Sequence, residues 1–535
     1  MAEQAPAAQR RWRAACPNCG APVEFASAAS ASAVCGFCRS TLLRDGDTLS
    51  RIGQSAEIFE DYSPLQLGAT GRWMGSGFAV VGRVQRGSEL GNWNEWHLLF
   101  DAGGDAARVA WLSEDNGRFV LSLEAPLHET PPDAPAVGLP LTLAGQRWQV
   151  AAVVQAALRA AEGELPRPPK AGRVVELRNA QDEVGSLEYR DGEAPVWSVG
   201  RGVALADLAL QGLRTTTEGE SVAEAKFAGR SIACPNCGAP LAPTLVQSKS
   251  MSCGQCQAVV DLPGFESSGD AKALGFTPQS PGLPPLIPLG RTGTLALAGS
   301  PPQAWTVVGY QERCDIPEDA DDEQSFWREY LLFNRLAGFA FLVDTREGWS
   351  LVATMTGAPT PARGGVSFKG REYAQRWSYG AKTTHVLGEF YWPVRLDDRV
   401  QVTDYASADG RLLLSREQQG PEVTWSGGQT LPAEAVQQAF GLSAPAAQFS
   451  RDASAFKNSG GALLRNIVIG LFLIVVLFAL LRACASDDCQ RYKDSFGEDS
   501  NEYHQCRASS RGSGTYIGNS GGSYGGYSSG GGGHK

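Results

Sequence analysis

Eight cysteines stand in two identical patterns and are the residues of this sequence best suited to chemistry. They are Cys16, Cys19, Cys35 and Cys38 in the first set, and Cys234, Cys237, Cys253 and Cys256 in the second. Each set follows C-x2-C-x15-C-x2-C, a spacing with which four thiolates close a tetrahedron around a structural zinc ion. In both sets a Pro stiffens the first knuckle, and the Gly after its second Cys tolerates a positive φ. We therefore predict two zinc ions per chain, each held by one set.

Two other uses of paired thiols fit the sequence less well. Disulfides form in oxidising compartments, but no signal peptide precedes the first set, since residues 1–15 contain three Arg and no apolar core. A redox motif of the thioredoxin type needs a βαβ context, which neither set has. We expect the N-terminal part of the chain to lie in the cytoplasm, where thiols stay reduced.

Other candidate site residues are scarce. The sequence contains neither a P-loop nor a dinucleotide-binding fingerprint, and its five His fall in unrelated contexts. Two pairs of Glu recur beside aromatic residues: Glu95 with Glu329, and Glu164 with Glu389. Such carboxylates could serve acid–base chemistry, but we favour a structural role in which each accepts hydrogen bonds from backbone donors. No catalytic or cofactor-binding residue is therefore assigned, and the protein is not expected to be an enzyme.

Length and charge limit the classes of protein further. A chain of 535 residues suggests about three to four domains. Acidic residues outnumber basic ones by 57 to 47, which gives a formal net charge of −10. Zinc ribbons often bind nucleic acid, but this chain lacks the basic surface that such binding needs, so no nucleic-acid partner is expected.

The cysteine pattern belongs to a larger duplication. Five blocks recur in the same order in both halves of the chain: Phe78–Arg83 with Trp305–Tyr310, Trp93–Phe100 with Phe326–Phe333, Gly145–Trp148 with Gly370–Tyr373, Gly163–Leu165 with Gly388–Phe390, and Val196–Ser198 with Thr424–Ser426. Short apolar runs between Gly and Asp turns predict that both copies are built from strands. A sequence duplicated over this length indicates two copies of one fold.

The duplication also decides one ambiguous segment. Ala151–Glu162 is rich in Ala and has helical propensity, but its counterpart Ala374–Leu387 contains aromatic and β-branched residues. Both segments are therefore predicted as strands. The clearest short helix candidates are Leu205–Gln211 and Pro432–Phe440, with Pro432 suited to a first helical position.

An apolar run near the C-terminus predicts a membrane span. Ile467–Leu481 contains no polar residue, and Arg465 and Arg482 can snorkel at its two ends. Basic residues balance on the two sides, so the positive-inside rule gives no orientation. Zinc-binding thiolates must stay reduced, so we expect the part of the chain before the span to lie in the cytoplasm. The tail after the span would then lie outside the inner membrane. There Cys489 and Cys506 either form a disulfide or remain free.

The predicted fold is mainly β, with two duplicated β-barrel or β-sandwich-like modules, two small zinc ribbons and one C-terminal transmembrane helix. Its predicted parts, in order, are zinc ribbon 1 at 1–49, module 1 at 57–213, a linker with zinc ribbon 2 at 214–262, a Pro-rich linker at 263–288, module 2 at 289–441, a tether at 442–460, the transmembrane helix at 461–483 and a polar Gly/Ser-rich tail at 484–535.

The Val-x-Gly strand, the Trp-x-Glu-Trp/Tyr strand, the Gly-Glu turn and the late Trp-Ser resemble a bacterial domain-of-unknown-function family, number four-one-seven-eight. The resemblance covers about Leu67–Val203 and Leu289–Phe440. It implies two tandem copies, each preceded by a zinc ribbon, with proteins of polyamine metabolism or small membrane proteins as partners. After the Gly-Glu turn, copy one continues with Leu-Pro and copy two with Phe-Tyr-Trp, so a site there would exist in only one module.

Two classes of function fit these observations. The first is a membrane-anchored zinc-ribbon scaffold or adaptor that presents its β modules to protein partners at the cytoplasmic face. The second is a sensor or binder of a small cationic ligand, such as a polyamine, through carboxylate pairing and cation–π contacts. An enzyme that uses the repeated Glu residues is a distant third.

Overall fold

The computed structural model describes residues 12–27, 30–45, 48–55, 63–88, 91–101, 109–115, 117–214, 232–245, 248–262, 275–317, 324–397, 399–420 and 422–442. The predicted tether, transmembrane helix and tail, with Cys489 and Cys506, lie outside the described residues. Among the helices that are described, none has the length and apolar character needed to cross a membrane. Strands dominate the described part, and most of them join one large antiparallel sheet, so the predicted mainly β fold is confirmed.

The first predicted zinc ribbon, called four-Cys unit 1 below, contains two separate pairings of short strands. Its strands are β1 (Trp12–Ala15), β2 (Pro22–Phe25), β3 (Ser32–Val34), β4 (Ser40–Asp45) and β5 (Thr48–Gln54). β1 pairs with β2, while β3, β4 and β5 form a second antiparallel ladder. The knuckles that carry the cysteines lie at the turns of these hairpins.

Module 1 follows with ten strands and one short 3₁₀ turn at Leu205–Leu208. The strands are β6 (Thr70–Trp73), β7 (Ser76–Gly87), β8 (Asn92–Phe100), β9 (Val109–Asp115), β10 (Arg118–Glu124), β11 (Pro140–Leu143), β12 (Gln146–Leu165), β13 (Gly172–Arg178), β14 (Glu183–Tyr189) and β15 (Val196–Val203). Eight of them pair in the order β7, β8, β9, β10, β15, β14, β13 and β12, and β12 returns to β7. The pairing therefore forms a closed antiparallel ring.

The second half of the chain repeats this plan. Four-Cys unit 2 contains β16 (Ile232–Ala233), β17 (Pro240–Leu241), β18 (Ser250–Ser252), β19 (Val259–Asp261) and β20 (Gly275–Thr277). Module 2 contains β21 (Thr292–Leu295), β22 (Gln303–Ile316), β23 (Phe326–Asn334), β24 (Gly338–Thr345), β25 (Gly348–Thr354), β26 (Thr360–Ala362), β27 (Gly365–Phe368), β28 (Arg371–Phe390), β29 (Arg399–Ser407), β30 (Leu412–Gln419), β31 (Glu422–Leu431) and the helix α1 (Ala433–Phe440).

The second ring has the same order as the first: β22, β23, β24, β25, β31, β30, β29 and β28, with β28 returning to β22. Equivalent residues can therefore be assigned from the pairing itself. Trp197 on β15 and Trp425 on β31 take corresponding places, as the repeated sequence blocks predict. The two modules also touch each other, since Trp425 Nε1 donates to Gln149 Oε1 at 2.9 Å.

The ambiguous segment Ala151–Glu162 lies within β12, and its counterpart lies within β28; both are 20-residue strands, as predicted. The helix predicted at Leu205–Gln211 is wrong beyond Leu208, because Ala209 adopts a left-handed conformation with φ 44° and ends the turn. α1 begins one residue later than predicted, and Pro432 is the extended residue that precedes it.

Candidate metal centres and their junction with the modules

The structure brings each predicted set of four thiols together. Within a set, the four Sγ atoms all lie within 4.8 Å of one another. In four-Cys unit 1 the Cys16–Cys38 and Cys19–Cys35 Sγ distances are both 3.7 Å. The corresponding distances in four-Cys unit 2 are also 3.7 Å. A tetrahedron with metal–sulfur bonds of ~2.3 Å has edges of about 3.8 Å, so both groups are suited to hold a metal ion.

The backbone of each knuckle explains why the spacing converges. Gly20 N donates to Cys16 O at 2.9 Å, and Gly238 N donates to Cys234 O at 2.8 Å. Both glycines have positive φ, 74° and 76° respectively, as the sequence predicts for a residue that turns the chain back. Asn18 N also points at Cys16 Sγ, at 3.4 Å. A backbone N–H aimed at sulfur stabilises a thiolate and orients it toward a metal.

Hydrogen bonds lower the pKa of the fourth thiol of each set. Cys38 Sγ lies 3.2 Å from Ser40 Oγ, and hydrogen bonds with the side chains of Ser40 and Asn18 lower the pKa of Cys38 to about 5. A backbone hydrogen bond with Ala258 and one from the Asn236 side chain lower the pKa of Cys256 to about 6. Thiolates are the form in which cysteine binds metal, so these contacts suit both groups to metal binding.

The repeated Glu of the Gly-Glu turn joins each four-Cys unit to its module. The Glu164 carboxylate accepts hydrogen bonds from Ala26 N at 2.6 Å and Ser27 N at 3.4 Å. Burial raises the pKa of Glu164, although these backbone donors oppose the shift. The two donors belong to the loop between the two knuckles of four-Cys unit 1. We call the pair Gly163-Glu164 the Gly-Glu junction of module 1.

The Gly-Glu junction of module 2, Gly388-Glu389, holds its unit through four hydrogen bonds. Thr244 N and Thr244 Oγ1 donate to Glu389 Oε1 at 2.7 Å each. Glu389 Oε2 accepts from Leu245 N at 2.9 Å and from Ser248 Oγ at 2.6 Å. Glu389 is 6% exposed. The structural role favoured from sequence for Glu164 and Glu389 therefore agrees with their observed partners.

Strand pairing supports the same contact. β3 pairs with the end of β12 at Gly163, Glu164 and Leu165, and β18 pairs with β28 at Glu389 and Phe390. Each four-Cys unit thus continues the sheet of its module. Within each module, the strand beside the junction requires glycine, because a Cβ on Gly82 of β7 would lie 1.9 Å from Glu164 O and one on Gly309 of β22 would lie 2.7 Å from Glu389 O.

The other repeated Glu pair is buried inside the modules. Glu95 Oε2 accepts from Arg86 Nε at 2.9 Å, and Glu95 Oε1 accepts from Trp93 Nε1 at 3.2 Å. Arg86 Nη2 also donates to Glu188 Oε1 at 2.6 Å. β12 and β13 separate β7 from β14 in the ring, so this last contact crosses the interior of module 1.

Module 2 contains the same cluster. Arg313 Nη1 donates to Glu329 Oε1 at 3.1 Å and to Glu417 Oε1 at 3.0 Å, and Trp327 Nε1 donates to Glu329 Oε1 at 2.7 Å. Burial alone lowers the pKa of an arginine, but the two carboxylates outweigh it and raise the net pKa of Arg313, as they do for Arg86. Each module is therefore organised around a buried, charged Arg between two Glu side chains.

Sequence analysis missed four of the six residues in these two clusters. Glu95 and Glu329 were singled out, but Arg86, Arg313, Glu188 and Glu417 were not. One signal was present, since an Arg stands four residues after the Gly of the Val-x-Gly strand in both copies. The second Glu has no such marker, because its place opposite the Arg depends on how distant strands close the ring.

Comparison with protein families gives one match. The model described as "Domain of unknown function (DUF4178)" matches residues 66–204 and 302–433, together just over half of the chain. The two matches fall on modules 1 and 2, and each follows a four-Cys group. The resemblance inferred from sequence is therefore confirmed. Comparisons with curated proteins and with solved structures gave no match.

We predict that the purified full-length chain carries two zinc ions. Cys19→Ser and Cys237→Ser should each leave one, because each ion is held by its own set of thiolates. Mass-spectrometric metal analysis measures the count. Less than one zinc per chain, with the thiols free to titrate, would contradict the assignment.

Replacing Glu389 with Gln should lower the free energy of unfolding by ~1–3 kcal/mol, because backbone donors in four-Cys unit 2 lose a charged acceptor. Glu164→Gln should cost less, since fewer donors reach that carboxylate. Denaturant unfolding followed by tryptophan fluorescence gives the values. Glu372→Gln, an exposed site on the same strand β28, is the control; an equal loss there would refute the role of Glu389.

Proposed function

The chain belongs to the DUF4178 family, and we propose that it is a membrane-anchored, zinc-organised scaffold that presents its modules to protein partners at the cytoplasmic face. In this proposal the parts are two zinc ribbons, two β-barrel modules and one transmembrane helix. Zinc has a structural role, because four thiolates per ion leave no coordination position for a substrate.

One observation carries the preference for a scaffold over an enzyme: each repeated carboxylate has structural partners. Glu95 and Glu329 bind buried arginines, and Glu164 and Glu389 bind the backbone of the four-Cys units. A general acid or base must reach a substrate proton, and these side chains are at most 8% exposed. Their contacts favour rigid placement of the four-Cys units over acid–base chemistry.

Four-Cys unit 1 offers the better docking surface for a partner. Phe37, between Cys35 and Cys38, is 76% exposed, whereas four-Cys unit 2 has the polar Gln255 at this place. Nearby, β5 pairs only with β4 among the described strands, and Ile52 on it is 47% exposed. A strand edge with exposed apolar side chains suits a partner that adds an extended segment to the sheet.

The membrane anchor and its orientation rest on sequence. Ile467–Leu481 has the composition of a span, and reduced zinc thiolates favour the cytoplasm for everything before it. Small membrane proteins or proteins of polyamine metabolism are candidate partners by resemblance to the family alone.

A second candidate function is the binding of a small cationic ligand such as a polyamine. One observation favours it: the interior cluster of module 2 sets two carboxylates, Glu329 and Glu417, against the single Arg313. Carboxylates beside aromatic rings attract organic cations by charge and by cation–π contact.

To test the scaffold, tagged full-length chain is recovered from solubilised membranes with its bound partners. Phe37→Asp should reduce partner recovery at least tenfold, because a charge replaces the apolar contact. Gln255→Asp, at the equivalent place in four-Cys unit 2, should leave recovery unchanged, and both variants should keep two zinc ions. Equal recovery with all three proteins would contradict the proposed surface.

The proposed topology predicts which thiols react from outside. In intact spheroplasts, after reducing pretreatment, a membrane-impermeant maleimide should label Cys489 and Cys506 but none of the eight zinc-site Cys. A variant with both tail residues changed to Ser should lose this labelling. Labelling confined to the zinc-site Cys would reverse the orientation and remove the basis for a cytoplasmic scaffold.

A further inference from the structure

The two modules neutralise their interior carboxylates differently. In module 1 both oxygens of Glu188 are bound by arginine: Oε1 by Arg86 at 2.6 Å and Oε2 by Arg190 at 2.8 Å. Arg86 and Arg190 are both buried. The Glu188 carboxylate is therefore matched by two cations of its own chain.

In module 2 the equivalent carboxylate is paired with one arginine among the residues that the structure describes. Glu417 Oε1 accepts from Arg313 at 3.0 Å. Its second oxygen, Oε2, is buried and has no hydrogen-bond donor among the described residues. The residue is 6% exposed. A buried carboxylate oxygen without a donor is costly, which makes this atom the strongest sign of a missing partner in the interior.

Strand register shows that the two glutamates are equivalent. Glu188 pairs with Val196, the residue before Trp197, and Glu417 pairs with Thr424, the residue before Trp425. Two residues further along the strand, Arg190 of module 1 is replaced by Gln419 in module 2. The cation that completes the module 1 cluster is therefore absent from the module 2 sequence.

A second replacement adds aromatic surface. Three residues after the Glu of the Gly-Glu junction, module 1 has Arg167 and module 2 has Trp392. Trp392 packs against Tyr391, with ring centroids 4.7 Å apart. Burial raises the pKa of Tyr391; the negative charges of Asp115, Glu422 and Glu417 add to the rise, and the charge of Arg118 opposes it. Module 2 thus replaces two arginines with a glutamine and an aromatic pair.

We propose that module 2 binds a small organic cation, an alkylguanidinium or primary ammonium group, at Glu417 Oε2. The cation takes the place that the Arg190 guanidinium takes in module 1. Module 1 binds no such ligand, because its own arginine fills the position. The proposal deepens the second candidate function by naming a site and a ligand class, and it is independent of the scaffold.

The test is calorimetric titration of zinc-loaded full-length chain in detergent with n-propylguanidinium, which mimics an arginine side chain. We expect saturable binding of one equivalent, and none of the neutral isostere n-propylurea. Glu417→Gln should weaken binding at least tenfold, whereas the matched Glu188→Gln should leave it unchanged. Zinc content and circular dichroism of each variant report whether it has folded.

A second variant supplies the missing cation from within the chain. Gln419→Arg should abolish n-propylguanidinium binding and raise the melting temperature of the chain. No saturable binding by the wild type, together with no gain in melting temperature for Gln419→Arg, would overturn the proposal and leave Glu417 as a protonated core residue. Binding that persists in Glu417→Gln would keep the second candidate function but overturn this site.

Discussion

The carboxylate of the Gly-Glu junction, Glu164 in module 1 and Glu389 in module 2, is the interaction on which the placement of each four-Cys unit depends. A buried carboxylate needs donors, and here the donors are backbone N–H groups of the loop between two knuckles. The junction glycines, Gly163 and Gly388, have positive φ, and each lies against a second glycine on the neighbouring strand. These two features of the junction hold a small four-Cys unit against a large sheet.

The interior Arg with its two Glu partners plays a different part. It spans the ring between strands that are not neighbours, and removing one partner of such a buried cluster typically costs about 3–5 kcal/mol. The duplicated chain keeps this cluster in both modules but surrounds it differently, with Arg190 near Glu188 and Gln419 at the equivalent place near Glu417. Both copies have the same architecture, while the side chains that surround the interior cluster differ between them.

Local sequence signals predicted local structure well. Cysteine spacing and the knuckle glycines depend on a few neighbouring residues, so both four-Cys groups could be assigned without a structure. Comparison of the copies predicted strands over Ala151–Glu162, where propensity alone favoured a helix. The salt bridge from Arg86 to Glu188 could not be predicted, because it depends on ring closure. Nor could the donors to Glu164, since backbone N–H groups leave no mark in the sequence.

We propose that zinc binding and module structure are coupled through the Gly-Glu junction. Hydrogen exchange of the full-length chain, compared with and without zinc, measures this coupling amide by amide. Zinc removal should release the amides of Thr244 and Leu245 in four-Cys unit 2, and also those at 386–394 at the end of β28, where β18 pairs with the module. Loss of protection confined to residues 232–262, with 386–394 unchanged, would contradict the account.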